Sequence, residues 1–241
     1  MSIQHYPSRT SWYAALLLGI ALTVALAGLS VPDAWSAPAA KPATSGVSAQ
    51  ATTARTAAST PTTNANRALT QAVTELRRHH PGRAVTALRR LNVQISRAHT
   101  AAVNLIGKPP TDPESDEPPG PAAVLGVLGL DHRVTTTTVP LFRNHRGARV
   151  VSALRSTLGV THVRRNAMIA KVVALPPEGA GEDYADGMSD VLPQFPAELS
   201  RLRTALASYH LTTTGRVGLT VTRNRVVAAQ TMMNKAYGGG E

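Results

Sequence analysis

From residue 66 onward, apolar side chains recur at steps of three and four, the spacing that gathers them on one face of an α-helix. Leu69, Val73, Leu76 and His80 carry the first such face, with Asn64 or Asn66 as its cap. The run His79-His80-Pro81-Gly82 interrupts it. Proline disfavours helix in the residue before it and suits the first turn of the helix after it. Leu88, Leu91, Ile95, Ala98, Ala102 and Leu105 make a second face, which Gly107 and the pair Pro109-Pro110 close. The two segments predict an antiparallel helical hairpin over 66–107.

A second body follows, over 122–241, and its pattern predicts a bundle of about four helices. Val127, Leu130, Val134 and Leu141 fit one face, although the β-branched run 135–138 fits a strand as well. Val151, Leu154, Leu158, Met168 and Val172 share a face over 149–175. Leu199, Leu202, Leu206 and Tyr209 give a third helix, with Pro196 in its first turn. Leu219, Thr222, Val226, Ala229, Met233 and Ala236 give a fourth, whose start at 215–222 also alternates like a strand. The fold class expected is all-α, a hairpin followed by a bundle.

Three stretches lack this periodicity. Residues 1–39 read as a signal peptide: Arg9 in a polar start, an apolar run at 14–31, then Pro32 and Asp33. Small residues allow cleavage after Ser36 or Ala39. The run approaches the length of a membrane anchor, which is the competing reading. In residues 37–65, 23 of 29 positions are Ala, Thr, Ser or Pro, so 40–65 is expected to be a disordered linker. Residues 108–121 hold six prolines and the acids Asp112, Glu114, Asp116 and Glu117, and read as an extended acidic linker.

Composition narrows the chemistry. The chain has no cysteine, which removes disulfides, thiolate metal sites and cysteine nucleophiles. Its histidines show no HExxH or H-x₃-H spacing, and no GxSxG, P-loop or GxGxxG occurs. The acids Asp183, Asp186 and Asp190 around Gly187 approach a calcium loop, but Tyr184 and Pro193 fall where ligands belong. That stretch reads instead as a loop whose acids favour the dipole of the helix after it. No catalytic residue, metal or cofactor is assigned, and an enzyme is not expected.

The net charge of +11 favours anionic partners. Arg83, Arg90 and Arg97 are spaced by seven, so they stay in a row that drifts only about 20° per step. Residues 66–108 contain eight Lys or Arg against the single acid Glu75. Guanidinium groups fit phosphate and carboxylate in bidentate geometry, which makes this row the candidate polyanion site. The competing reading is a solvated face with incidental charge. Arg165 is unusual because helical phase sets it among Leu154, Leu158, Met168 and Val172. A buried arginine there needs a carboxylate, with Asp131 or an acid of 182–190 as the expected partner, unless it extends to water along the edge of the face.

These features lead to an expectation of a secreted or cell-surface binding protein of the bacterial envelope, without catalytic activity. Its expected partner is an anionic wall polymer or an anionic membrane surface. Nucleic acid is not expected outside the cell. The alternative is a structural bundle that binds a protein partner.

Overall fold

The computed structural model describes residues 47–110, 117–144, 147–207 and 213–238. Residues 1–39, which the sequence reads as a signal peptide, residues 40–46, Asp112, Glu114, Asp116 and Tyr209 lie outside the described residues. Among the described residues every regular element is helical and none is a strand. In chain order these are α1 (Val47–Arg77), α2 (Pro81–Leu105), α3 (Pro119–Asn144) and α4 (Ala148–Val173). A kinked turn, Pro177–Gly181, leads to α5 (Glu182–Val191), α6 (Gln194–Ala207) and α7 (Thr213–Tyr237). Among the described residues, no helix is long and apolar enough to cross a membrane.

The helix α1 starts at Val47, well before the periodic pattern begins, and runs through much of the stretch whose composition predicts a linker. Alanine is the strongest helix former, and its small side chain lets a neighbouring helix approach. Ala58, Ala65, Ala68 and Ala72 are buried accordingly. Pro61 lies inside this helix, where it removes one backbone hydrogen bond.

The hairpin turn follows from local chemistry. His79 adopts a left-handed conformation with φ +59°. Its N–H donates to the Leu76 carbonyl and the N–H of His80 to the Glu75 carbonyl, at 3.1 and 2.8 Å. This pair of bonds satisfies the last carbonyls of α1. Pro81 then opens α2, where a missing N–H costs nothing. Pro119 and Pro121 open α3 in the same way, so the Pro-rich segment contributes the first turn of a helix.

Two sequence ambiguities resolve as helix. The threonine run of α3 bonds its hydroxyls back to its own backbone, Thr135 to the Asp131 carbonyl at 2.8 Å and Thr138 to the Thr135 carbonyl at 2.9 Å. In α4, Thr157 and Thr161 do the same toward Ala153 and Thr157. Residues 215–222, read alternatively as strand, lie in the first turns of α7. The acidic stretch expected as a loop forms α5, with Glu182 and Asp183 in its first turn, where acids suit the helix dipole. Tyr184 and Met188 face inward from it.

One apolar cluster joins the helices. Leu69 and Leu76 of α1 and Leu88, Leu91 and Ile95 of α2 belong to it. So do Val127 and Leu128 of α3, Leu154, Met168 and Val172 of α4, and Val226 and Met233 of α7. The helix α2 packs against α1, α3 and α4, while α3 also meets α5 and α6. Gly159 stands in the middle of α4, and a Cβ there would meet nothing within 4 Å. Gly159→Ala is therefore expected to stabilise the fold by about 0.5–1 kcal/mol, read as a higher urea midpoint at unchanged slope.

Candidate functional site

The outer side of α2 carries the arginine row. Arg83, Arg90 and Arg97 are all exposed, as are Arg89 beside them and Arg77 and Arg78 at the end of α1. Fourteen helical residues separate the first and last of the row, a span of about 21 Å. The one acid of this region does not neutralise it: Glu75 is nearly buried and its Oε2 pairs with His80 Nδ1 at 3.0 Å. Among the described residues no acid forms a hydrogen bond or ion pair with Arg83, Arg90 or Arg97.

The inner side of the same helix begins a buried polar cluster. His99 is enclosed, and its Nδ1–H donates to the Ile95 carbonyl at 2.9 Å. Its Nε2–H donates to Asp131 Oδ2 of α3 at 3.0 Å. Each ring nitrogen faces an acceptor, so the ring makes both bonds only as an imidazolium. Burial works to lower its pKa, but the charge and hydrogen bond of Asp131 and the Ile95 carbonyl outweigh that and the repulsion of Arg165. The balance holds His99 above its usual value of 6.5.

Arg165 projects from α4 into the same core and is fully buried. Its Nη2 donates to His162 Nδ1, one turn earlier, which assigns the His162 proton to Nε2. The guanidinium lies over the Phe195 ring of α6, 4.1 Å from its centre, a cation–π contact. Burial lowers Arg165 to about 10, while the charges of Asp131 and Glu198 pull it upward, so it stays cationic at neutral pH. Burial, then the charges of Arg165 and Arg225, hold His162 well below 6.5, so that ring is neutral.

Glu198 of α6 completes the group. Burial pushes its carboxyl up to about 7 against the pull of Arg201 and Arg165. Its Oε1 is 2.9 Å from His132 Nδ1, close but without the alignment of a hydrogen bond. Burial lowers the His132 pKa as well, so the enclosed environment favours the neutral form of each. His132 also meets the Phe195 ring edge-on, with centroids 6.0 Å apart.

The structure thus places Arg165 and Asp131 in one cluster without a hydrogen bond between them. Asp131 gives Oδ2 to His99, while its Oδ1 and the Nε and Nη1 of Arg165 have no hydrogen-bond partner among the described residues. The carboxylates acting on Arg165 are Asp131 and Glu198, and none of the acids at 182–190 does so. Sequence reasoning missed His99, His162, Phe195 and Glu198 as members of this site. The available signal was phase: His99 falls among Ile95, Ala98 and Ala102 just as Arg165 falls among leucines. Every member except His132 is buried, and the cluster ties α2, α3, α4 and α6 together. Among the described residues, no group of three or more histidines and acids is arranged to hold a metal ion. No family model matches this chain, and no curated protein or solved structure is significantly similar to it.

Proposed function

We propose that this protein is an exported, non-catalytic binding protein of the bacterial cell envelope that holds an anionic polymer or membrane surface along α2. The observation that supports this reading is the exposed row Arg83, Arg90 and Arg97, left without a neutralising acid among the described residues. A planar guanidinium takes phosphate or carboxylate oxygens in pairs, and a row about 21 Å long spans several repeats of a polymer. The export segment inferred from the sequence sets the compartment in which such polymers and headgroups occur.

Co-sedimentation with anionic and with neutral vesicles, alongside titration with a glycerol-phosphate polymer, tests this across a salt series. Binding to either anionic probe is expected to weaken as salt rises, because exposed charges are screened beyond about 10 Å at 0.1 M. Replacing Arg83, Arg90 and Arg97 together by Gln is expected to lower affinity at least about tenfold, since each basic residue near an anionic surface contributes roughly 1 kcal/mol. Binding that ignores both salt and the triple substitution would overturn the proposal and favour a packed protein interface.

A further inference from the structure

We propose that His99 is a proton-operated pin that fixes α2 to α3, so that the docking of the arginine-bearing helix depends on pH. This pin rests on geometry and stands whether or not α2 holds a polyanion. His99 is a buried polar link between these two helices, bonded to the Ile95 carbonyl on its own helix and to Asp131 across the interface. Both bonds need N–H donors, so loss of one proton turns a ring lone pair against a carbonyl or a carboxylate oxygen. In a water-excluded core, such a repulsion has no solvent to absorb it.

The surroundings leave His99 in control of this joint. Three helices pack against α2. From α3, Asp131 faces the ring and favours its charge; from α4, Arg165 opposes it, and His162 stays neutral. The part of α1 opposite this end of the antiparallel hairpin, 58–66, contains no titratable side chain. Glu198 on α6 acts on Arg165 and is one step removed.

The folded state holds the His99 proton above the usual pKa of 6.5, so by linkage this stabilisation is complete below about 6.5 and is lost as pH rises through the folded value. Glu198 works in the same direction, but its window closes at about 7. His162 works in the opposite direction, since its neutral form is favoured and acid below about 6.5 removes that stability. His99 thus adds to the fall as pH rises above 6.5, and any part of that fall lying above about 7, where the Glu198 window has closed, comes from His99.

The test uses the full chain, with NMR titration of the histidine rings and thermal midpoints from pH 6 to 9. The His99 ring is expected to titrate above 6.5. The midpoint is expected to fall by about 2–4 °C across that titration, as amides of α2 lose protection from hydrogen exchange. His99→Gln should abolish the fall above pH 7, whereas Glu198→Gln should retain it. A His99 ring that titrates at or below 6.5 overturns the proposal, as does a fall above pH 7 that persists in His99→Gln. If His99→Gln does not fold, the titration of the unaltered chain still decides the question.

Discussion

Arg165→Ala is expected to destabilise the protein by about 3–5 kcal/mol. Two losses combine. The long side chain that lies over Phe195 and fills the space between α4 and α6 disappears, leaving a hole whose walls relax only in part. A positive charge that acts on Asp131 and Glu198 disappears with it; Asp131 keeps His99 as its partner, but Glu198 loses one of the two cations that favour its ionised form. Arg165→Met separates these losses. It keeps much of the volume, forfeits the charge and removes the two nitrogens that find no acceptor among the described residues, so it should recover a large part of the deficit. Arg164→Ala, one position away on the exposed side, should change stability by no more than about 0.5 kcal/mol. Urea midpoints for the three variants measure this, and equal, near-zero effects would show that Arg165 reaches water.

What the sequence disclosed about this site was Arg165, either buried or at the edge of its face, and Asp131 as one candidate partner. Phase alone sets Arg165 among Leu154, Leu158 and Met168, and the structure buries it there. Phase carries no information about which neighbour approaches from another helix. His99 and Asp131 are 32 residues apart, and Glu198 lies on a helix whose position relative to α4 depends on the whole bundle. Helices with long apolar side chains were legible because Leu, Val and Met at steps of three and four fit little besides a helix with one buried face. The first part of α1 was not, since alanine and threonine at such density satisfy a linker as easily as a close-packed helix. The short helix α5 was hidden by its acids, which suit both a loop and the first turn of a helix.

Gly181→Ala is the second large effect expected, at about 2–3 kcal/mol of destabilisation. Gly181 has an ordinary helical backbone, φ −79°, so conformational freedom is not the reason for glycine here. The reason is space. An added Cβ would stand 2.5 Å from the Pro176 carbonyl oxygen and 2.5 Å from the Tyr237 ring. That carbonyl also accepts the Gly181 N–H at 3.0 Å, so it cannot withdraw without breaking the turn that joins α4 to α5. Tyr237 in turn donates its hydroxyl to the Val172 carbonyl at 2.7 Å, and moving it releases the end of α7 from α4. Gly187→Ala makes the useful contrast. Its Cβ would approach the branched end of Leu125 at 2.6 Å, a side chain that can turn aside, and the cost should be smaller. Thermal midpoints of the two variants compare them; a harmless Gly181→Ala would mean that the turn yields.

The threonines of α3 and α4 bear on how this bundle chooses its own arrangement. Thr135, Thr138, Thr157 and Thr161 are buried, yet each gives its hydroxyl to a carbonyl three or four residues back on its own helix. They are polar without being selective: a different partner helix would leave those bonds intact. Selectivity rests instead on ties between helices; those among the described residues include His99 to Asp131, Asn92 to Ser156, Asn166 to the Arg225 carbonyl, Lys171 to the Val103 carbonyl and Tyr237 to the Val172 carbonyl. Most of the core therefore encodes only that helices should stick. Which helix meets which is written in a handful of side chains, and a designer seeking to rewire the topology would begin with those.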